Sequence, residues 1–443
     1  MKVLKSIYIQ HLFFYILLGI GGVFFISFFV KWMFDMAMVL LVLLLLVTVI
    51  DLFVLYTGKK GIEAERELPD RLSNGDNNII HIRLKNNYPL PVTLEIIDEI
   101  PFQFQKRDFL MQVRLNGGEK VEIEYALRPT ERGEYLFGKL NVYVKSPVRL
   151  VSKRYIFCEN VVVASYPSFI QLRKYDMMAF SNQLSQYGLK RIRRIGHTME
   201  FEQIKDYTQG DDLRTINWKA TSKNNVLMVN QYQDEKSQPV YQVIDTGRSM
   251  QMPFLELSLL DYAINSTLAL SNIVLKKQDK AGMFTFSKKV GNYVAADRRA
   301  GQMHKLLETL YRIDTDFLES DFSRLYVDIK QSVTQRSLIM LYSNFETMDA
   351  LRRQLSYLKG IARNHLLIVV FFDNTELNQL ITRPTKNVQE VYDKIIAEKF
   401  AFEKRLIVRE LQKHGIQSIL TQPENLTVDT INKYLELKAR GMI

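Results

Sequence analysis

Two long apolar runs occupy the first 60 residues of the chain, before any amphipathic pattern begins. Residues 7–30 carry only Gln10, His11 and Ser27 as polar interruptions, and residues 33–56 form the second run. Because a hydrocarbon core of ~30 Å needs about 20 helical residues, each run is long enough to cross a membrane. The sequence therefore predicts a transmembrane helical hairpin over residues 1–60.

The charges around these runs predict an orientation. Lys2 and Lys5 precede the first run, Lys59 and Lys60 follow the second, and the short connection carries Lys31. Positively charged flanks remain on the cytoplasmic side of a membrane. We therefore expect both termini and the soluble domains in the cytoplasm, with the two helices in contact with lipid.

Residues 61–170 alternate apolar and polar positions with the period of a β-strand, as in residues 79–84. Turn signals such as residues 74–76 and 116–118 separate the alternating runs. This spacing is typical of an all-β sandwich of immunoglobulin type. We interpret the region as a spacer or docking module, since none of its polar clusters has a catalytic pattern.

Residues 239–443 alternate apolar strands with helical patterns. Strands are predicted at residues 240–244, 281–286, 338–341, 366–372 and 416–420, and helices near 254–277, 349–363, 388–413 and from 428. This alternation predicts a mostly parallel, doubly wound α/β sheet. In such sheets ligands bind beyond the carboxyl ends of the strands.

Composition limits the function classes. The chain has 59 Lys+Arg against 48 Asp+Glu, and the net charge of +11 favours anionic lipid, acidic proteins or nucleic acid as partners. The single cysteine, Cys158, excludes an intramolecular disulfide framework and a Cys-built zinc site. The sequence contains no Walker loop, no His-Glu-x-x-His and no Gly-x-Ser-x-Gly elbow, so we predict that the protein is not an enzyme.

Residues 171–238 hold the densest polar and aromatic motif of the chain. A glycine followed by two carboxylates, at Gly210, Asp211 and Asp212, suits a tight turn in which an Asp binds nearby backbone amides. Arg214 is spaced to pair with one of these carboxylates, and we expect Trp218 to bury its ring beside the Lys219 stem. A structural clasp and a binding site would need the same residue types.

This motif closely resembles the signature of the bacterial family called domain of unknown function 58 (DUF58). The candidate binding residues that match the family pattern are Glu200, Phe201, Tyr207, Gly210, Asp211, Asp212, Arg214, Asn217, Trp218 and Lys219. Many members have Ala-Arg where this chain has Ser222 and Lys223. The order of hairpin, β-domain and C-terminal domain also resembles the family, which implies a multi-pass protein of the bacterial inner membrane.

The α/β region resembles a von Willebrand factor A domain, which DUF58 members carry at their C-terminus. Such domains bind Mg²⁺ through an Asp-x-Ser-x-Ser motif, a hydroxyl from a middle loop and a later Asp. The resemblance assigns these ligand roles to Asp245, Ser249, Ser320 and Asn344, with Thr315 as a rival for the hydroxyl. Gly247 replaces the first Ser and Asn344 replaces the later Asp, so the site has lost a ligand and a charge. We expect no cofactor, and Mg²⁺ is the ion that this incomplete site would bind. In the structural alternative, Asp245 caps the helix near Pro253 or braces its own loop.

The resemblance also implies a partner, because DUF58 members are commonly associated with MoxR-type AAA ATPases, which are chaperone-like remodelling machines. We therefore predict a non-enzymatic, membrane-anchored adaptor that binds such an ATPase. One alternative is a metal-dependent hydrolase in which Asp211, Asp212, Asp245 and His197 converge. Another is nucleic-acid or anionic-lipid binding through Lys190, Arg191, Arg193 and Arg194, although the acidic residues that follow favour a solvated face.

Overall fold

The protein is described from a computed structural model, in which two compact units are distinguished, Met1–Tyr166 and Pro167–Ile443. The structure describes residues 6–57, 61–106, 109–172, 175–176, 200–208, 211, 215–224, 226–233, 237–315, 317–385 and 387–443. Each unit is considered by itself.

The first unit begins with a short strand and two apolar helices, β1 (Ile7–Ile9), α1 (His11–Ser27) and α2 (Trp32–Tyr56). Helix α2 is long and apolar enough to cross a membrane, by length and composition alone. The first apolar run, residues 7–30, is not helical over its whole length. Its first residues pair as a strand with residues 151–153, and the remaining 17 helical residues span about 26 Å.

A β-rich region follows, as the alternating pattern predicted. Its strands are β2 (Ile62–Glu67), β3 (Arg71–Ser73), β4 (Asn78–Asn86), β5 (Val92–Asp98), β6 (Leu110–Leu115), β7 (Lys120–Leu127), β8 (Gly133–Phe137), β9 (Leu140–Lys145), β10 (Val151–Phe157) and β11 (Val161–Tyr166). They form a five-stranded sheet in the order β1-β10-β9-β5-β6 and two three-stranded sheets, β2-β4-β7 and β3-β11-β8. Alternate residues of β4, such as Ile80, Ile82 and Leu84, enter the core.

The end of α2 is attached to this β-rich region. The Asp51 carboxylate accepts hydrogen bonds from the backbone amides of Leu150 and Val151, at 3.1 and 3.0 Å. The Leu55 carbonyl accepts from the Tyr88 hydroxyl at 2.8 Å and from the Lys153 ammonium at 3.1 Å. Together with the β1–β10 pairing, these bonds fix both ends of the helical pair to one β-domain.

In the second unit, an antiparallel hairpin precedes the α/β domain. It comprises β12 (Glu200–Asp206) and β13 (Met228–Gln233), with the short helix α3 (Trp218–Asn224) between them.

The α/β domain is built on a six-stranded sheet in the order β18-β17-β14-β19-β20-β21, in which only the β17–β18 pairing is antiparallel. The mostly parallel sheet is confirmed. The strands are β14 (Pro239–Asp245), β15 (Pro253–Phe254), β16 (Leu257–Ser258), β17 (Lys280–Phe286), β18 (Val290–Asp297), β19 (Leu338–Tyr342), β20 (Leu366–Phe372) and β21 (Gln417–Thr421). Of these, β15 and β16 form a separate small hairpin.

Helices cover both faces of this sheet, as a doubly wound arrangement requires. They are α4 (Leu259–Lys276), α5 (Gln302–Tyr311), α6 (Phe322–Ser332), α7 (Met348–Asn364), α8 (Thr375–Thr382), α9 (Val388–Lys413) and α10 (Leu426–Ala439). One core joins α4, α5 and α10 to the sheet, and another joins α6, α7 and α9. Helix α4 starts later than predicted because Ser258 and Asp261 form a capping box after the β15–β16 hairpin.

Candidate functional site

The carboxyl edge of the parallel sheet holds one buried carboxylate. Asp245 ends β14 and is 1% exposed. Its Oδ1 accepts from the Ser320 hydroxyl at 2.5 Å and from the Gly247 amide at 2.8 Å. Its Oδ2 accepts from the Ser343 hydroxyl at 2.6 Å and, weakly, from Ser249 at 3.5 Å. Burial raises the pKa of the Asp245 carboxyl, and these hydrogen bonds oppose that effect.

The glycine at position 247 explains why Ser320 reaches Asp245. A Cβ atom at Gly247 would lie 2.0 Å from the Ser320 hydroxyl oxygen, so any side chain there would displace it. The Ser320 hydroxyl therefore reaches Asp245 because it occupies the space that a serine side chain at position 247 would fill. Thr315, the rival candidate, donates instead to the Thr246 carbonyl at 2.6 Å.

Asn344 lies at the same edge but has a different partner. Its side-chain oxygen accepts a 2.5 Å hydrogen bond from the ammonium of Lys404, on α9. Lys404 is 9% exposed, and its ammonium lies 5.6 Å from the centre of the Phe371 ring. Burial lowers the pKa of Lys404 to about 8, although the charges of Glu346 and Asp373 oppose this shift.

These residues do not fit a Mg²⁺ site. Both Asp245 oxygens already accept hydrogen bonds, and the Asn344 oxygen binds an ammonium whose charge repels a dication. Hard cations need several oxygen ligands with compensating negative charge. Within the described ranges, no group of three or more His, Cys, Asp and Glu side chains is arranged to hold a metal ion.

Asp211 of the family signature closes a local turn. Its carboxylate accepts from the Lys205 ammonium at 2.8 Å and from the amide and hydroxyl of Thr208 at 2.9 and 2.8 Å. These bonds, led by that from Lys205, lower the pKa of Asp211 to about 2. The carboxylate therefore stays ionised and bound to its own loop, as the structural clasp requires.

Asn217 ties the short helix α3 to the hairpin. Its side-chain oxygen accepts from the Ala220 amide at 3.0 Å, and its side-chain nitrogen donates to Asn230 at 2.8 Å. Thr221 accepts from the Met228 amide at 3.0 Å. The prediction that Trp218 is buried is wrong, because none of these contacts covers its ring and the residue is 70% exposed. Lys219 is also exposed.

The remaining signature residues are placed only in part. Glu200 and Phe201 lie in β12, and Tyr207 follows it, with its amide bonded to the Leu227 carbonyl at 2.8 Å. The signature residues Gly210, Asp212 and Arg214, the His197 of the hydrolase hypothesis, and the basic residues Lys190, Arg191, Arg193 and Arg194 lie outside the described residues.

Two residues of the edge were missed by the sequence analysis. Ser343 directly precedes the proposed ligand Asn344. Side chains alternate between the two faces of a strand, so only one of these two neighbours can face Asp245, and this alternation could have indicated Ser343. Lys404 lies 60 positions beyond Asn344 in a helix, and no local pattern marks it.

Helix α9 carries an exposed apolar stripe on its N-terminal half. The residues of this stripe, spaced by three or four positions, are Val388, Val391, Tyr392, Ile395 and Ile396. Val388 is 72% and Tyr392 62% exposed. Such a stripe normally packs against another element.

The fold and the edge define an α/β domain with a hydrogen-bonded acidic residue at the carboxyl end of its first strand. The family model described as "Protein of unknown function DUF58" matches residues 203–400, so the resemblance to DUF58 is confirmed and this part of the chain is a DUF58 region.

A relative and several solved structures are also similar. The uncharacterized protein YeaD of Bacillus subtilis is 22% identical over 249 residues, which are 53% of this chain and 60% of that protein's length. BatB from Bacteroides thetaiotaomicron is 12% identical, with 46% of this chain and 99% of that chain covered and a TM-score of 0.28. An aerotolerance-related membrane protein from Bacteroides fragilis is 12% identical, with 45% of this chain and 98% of that chain covered and a TM-score of 0.28. TM-scores this low support no inference about this chain.

Proposed function

We propose that the protein is a non-enzymatic, membrane-anchored adaptor whose α/β domain, of von Willebrand factor A type, binds a protein partner. The partner that we propose is a MoxR-type AAA ATPase, as the DUF58 resemblance implies. The β-rich region, of immunoglobulin type in this proposal, joins that domain to the membrane hairpin.

The exposed apolar stripe of α9 carries this proposal. A contiguous apolar face on a domain surface marks a protein or membrane contact. Residues 388–400, in the same half of the helix, carry three acidic residues and two lysines, and a net charge of −1 does not attract an anionic lipid surface. A protein partner is therefore the occupant that the charges favour. The exposed Trp218 ring offers a second anchor, since tryptophan is enriched at the energetic centres of interfaces.

The attachment of the hairpin supports the proposed orientation. Strand β1, before α1, pairs with β10, and Asp51 near the end of α2 binds the amides that open β10. Both ends of the helical pair therefore lie against one β-domain, as a hairpin requires when its ends are on the same side of a membrane. Together with the lysine flanks, this arrangement favours cytoplasmic termini and soluble domains in the bacterial inner membrane.

The hydrolase alternative has less support. Asp211 binds Lys205 and Thr208, whereas Asp245 binds Ser320, Ser343 and Gly247. Two carboxylates held in separate hydrogen-bond networks do not form an acid/base pair or a shared metal site.

The test is direct binding between the full chain, purified in detergent, and a purified MoxR-type AAA ATPase from the same organism. We expect saturable binding to the native chain, and loss of at least tenfold in affinity with Ile395→Asp, which places a charge in the stripe. Trp218→Ala should weaken binding further if the signature contributes to the interface.

The matched control is Val327→Asp on α6, because Val327 is also an exposed apolar residue, at 42%. Unchanged binding by this variant, beside weakened binding by Ile395→Asp, would support the stripe as the docking face. Absence of binding by the native chain, or equal loss in both variants, would overturn the proposal.

A further inference from the structure

A cavity of about 390 Å³ opens at the carboxyl edge of the sheet, between the sheet, α8 and α9. Its walls include the aromatic rings of Phe254, Phe372 and Phe400. A concave, largely apolar space of this size with a few polar groups is typical of small-molecule sites. The cavity lies within the second unit and does not depend on the protein partner proposed above.

The polar groups of the cavity are ordered by charge and depth. Lys404 and Asn344, the most buried of them, are 9% and 7% exposed. Asp373 is half-buried, and Glu346 and Glu376 are exposed. A positive charge therefore lies at the floor, and negative charges lie between the floor and the mouth. This order is complementary to a ligand that carries both signs of charge.

The floor ammonium has unused hydrogen-bonding capacity. An ammonium has three donors, and the one acceptor bonded to Lys404 among the described residues is the neutral oxygen of Asn344. Neither Glu346 nor Asp373 forms an ion pair with it in the part of the chain that the structure describes, although both act on it through space. A buried charge of this kind is stabilised by an anionic partner.

The mouth sets a second requirement. A ligand with only a carboxylate would be attracted to Lys404 but repelled by the rim carboxylates, and a ligand with only an ammonium would meet the opposite mismatch. A zwitterion avoids both penalties, while an apolar body gains burial against the aromatic walls.

We propose that this cavity binds a small zwitterion with an apolar body, such as an apolar amino acid, with its carboxylate on Lys404 and its ammonium at the Glu346 and Glu376 rim. The apolar side chain packs between Phe254, Phe372 and Phe400. The site is distinct from the α9 stripe and from the hydrogen-bonded Asp245.

Isothermal titration of the full chain in detergent tests this site with L-phenylalanine, L-leucine and L-methionine as probes. At least one should bind saturably. For L-phenylalanine, the single-charge analogues 3-phenylpropionate and 2-phenylethylamine should each bind at least tenfold more weakly than the amino acid. This comparison uses the native chain and needs no variant.

Two variants assign the charges. Lys404→Met should remove the advantage of the amino acid over 2-phenylethylamine, and Glu346→Gln should reduce its advantage over 3-phenylpropionate. Lys413→Met, on the exposed end of the same helix, is the matched control and should bind like the native chain. The proposal would be overturned if no probe bound saturably, or if the single-charge analogues bound as tightly as L-phenylalanine. It would also be overturned if the native chain and Lys404→Met bound L-phenylalanine equally.

Discussion

Two buried carboxylates of the first unit, Asp98 and Asp51, are held differently from Asp245 of the second unit. In the first unit, Asp98 faces the Arg66 guanidinium and the Tyr125 hydroxyl, and Asp51 accepts from two backbone amides. In the second unit, Asp245 depends mainly on serine hydroxyls. The Arg66 guanidinium is charged and the amides that bind Asp51 are fixed in the backbone, whereas a serine hydroxyl rotates and can be removed by one substitution.

Because their donors differ, the three carboxylates have different roles in the fold. Asp51 joins a helix end to a β-domain, and Asp98 neutralises a cation inside the same domain, so each is coupled to long-range structure. The hydroxyls around Asp245 come from three loops at one sheet edge, and they hold those loops together without any charged partner. We therefore expect the effects of substitution to decrease from Asp98 to Asp51 and then to the hydroxyls around Asp245.

The largest effect is expected for Asp98→Ala. Both side chains of the Asp98–Arg66 pair are inaccessible to solvent, and the variant leaves the guanidinium buried without its carboxylate. Breaking a buried pair in this way costs about 3–5 kcal/mol. Amide protection in β5 and β9, measured by hydrogen–deuterium exchange, should fall by about two to three and a half orders of magnitude.

The control for that variant is Glu63→Ala, which breaks the exposed Lys85–Glu63 pair of the same β-domain. An exposed pair contributes about 0–1 kcal/mol, so protection should change little. A similar loss in both variants would show that burial of the Asp98–Arg66 pair is not the source of the effect.

A smaller effect is expected for Asp51→Ala. The amides of Leu150 and Val151 lose the one buried acceptor that they share, Oδ2 of Asp51, and we expect a cost of about 1–3 kcal/mol. Exchange of these two amides should accelerate, while amides of β4 keep their rates. Unchanged exchange at residues 150–151 would contradict the role of Asp51 in attaching α2 to the β-domain.

Removal of one hydroxyl from Asp245 should cost less again. Ser343→Ala removes the 2.6 Å bond to Oδ2, and a typical hydrogen bond of this kind contributes about 0.5–1.5 kcal/mol. Thermal unfolding of the α/β domain measures the loss. Ser249→Ala is the matched control, since its 3.5 Å contact is too long to contribute comparably. Equal losses would show that the distances do not rank the donors.

The elements of the α/β domain were predictable where one local pattern decided them. Residues 366–372 and 388–413 match β20 and α9 because a buried apolar run and a helical period are properties of adjacent residues. Strand β1 could not be predicted in this way, since its partner lies about 145 positions further along the chain.

The site was predictable only in part for the same reason. Asp245, Ser249 and Ser320 do meet, but Asn344 turns to Lys404, and Ser343 takes its place. The Asp-x-Ser-x-Ser motif specifies positions near Asp245 and contains no position for a lysine on α9. The exposure of Trp218 likewise depends on how α3 lies on the hairpin, which the sequence of the motif does not determine.

The smallest expected effect is that of Mg²⁺, which tests directly whether the donors around Asp245 exclude a metal ion. If the Asp245 oxygens are committed to hydroxyl and amide donors and Lys404 repels a dication, adding Mg²⁺ should leave the thermal midpoint of the full chain unchanged. A ligand that binds the folded state at 100 times its Kd would stabilise it by about 2.7 kcal/mol, so occupancy would be visible. Lys404→Met, which removes the repelling charge, tests the reason: a midpoint that rises with Mg²⁺ only in this variant would identify the ammonium as the barrier to the metal. A rise in the native chain that disappears in Asp245→Ala would show instead that the serine hydroxyls rotate away from Asp245 and become ligands themselves.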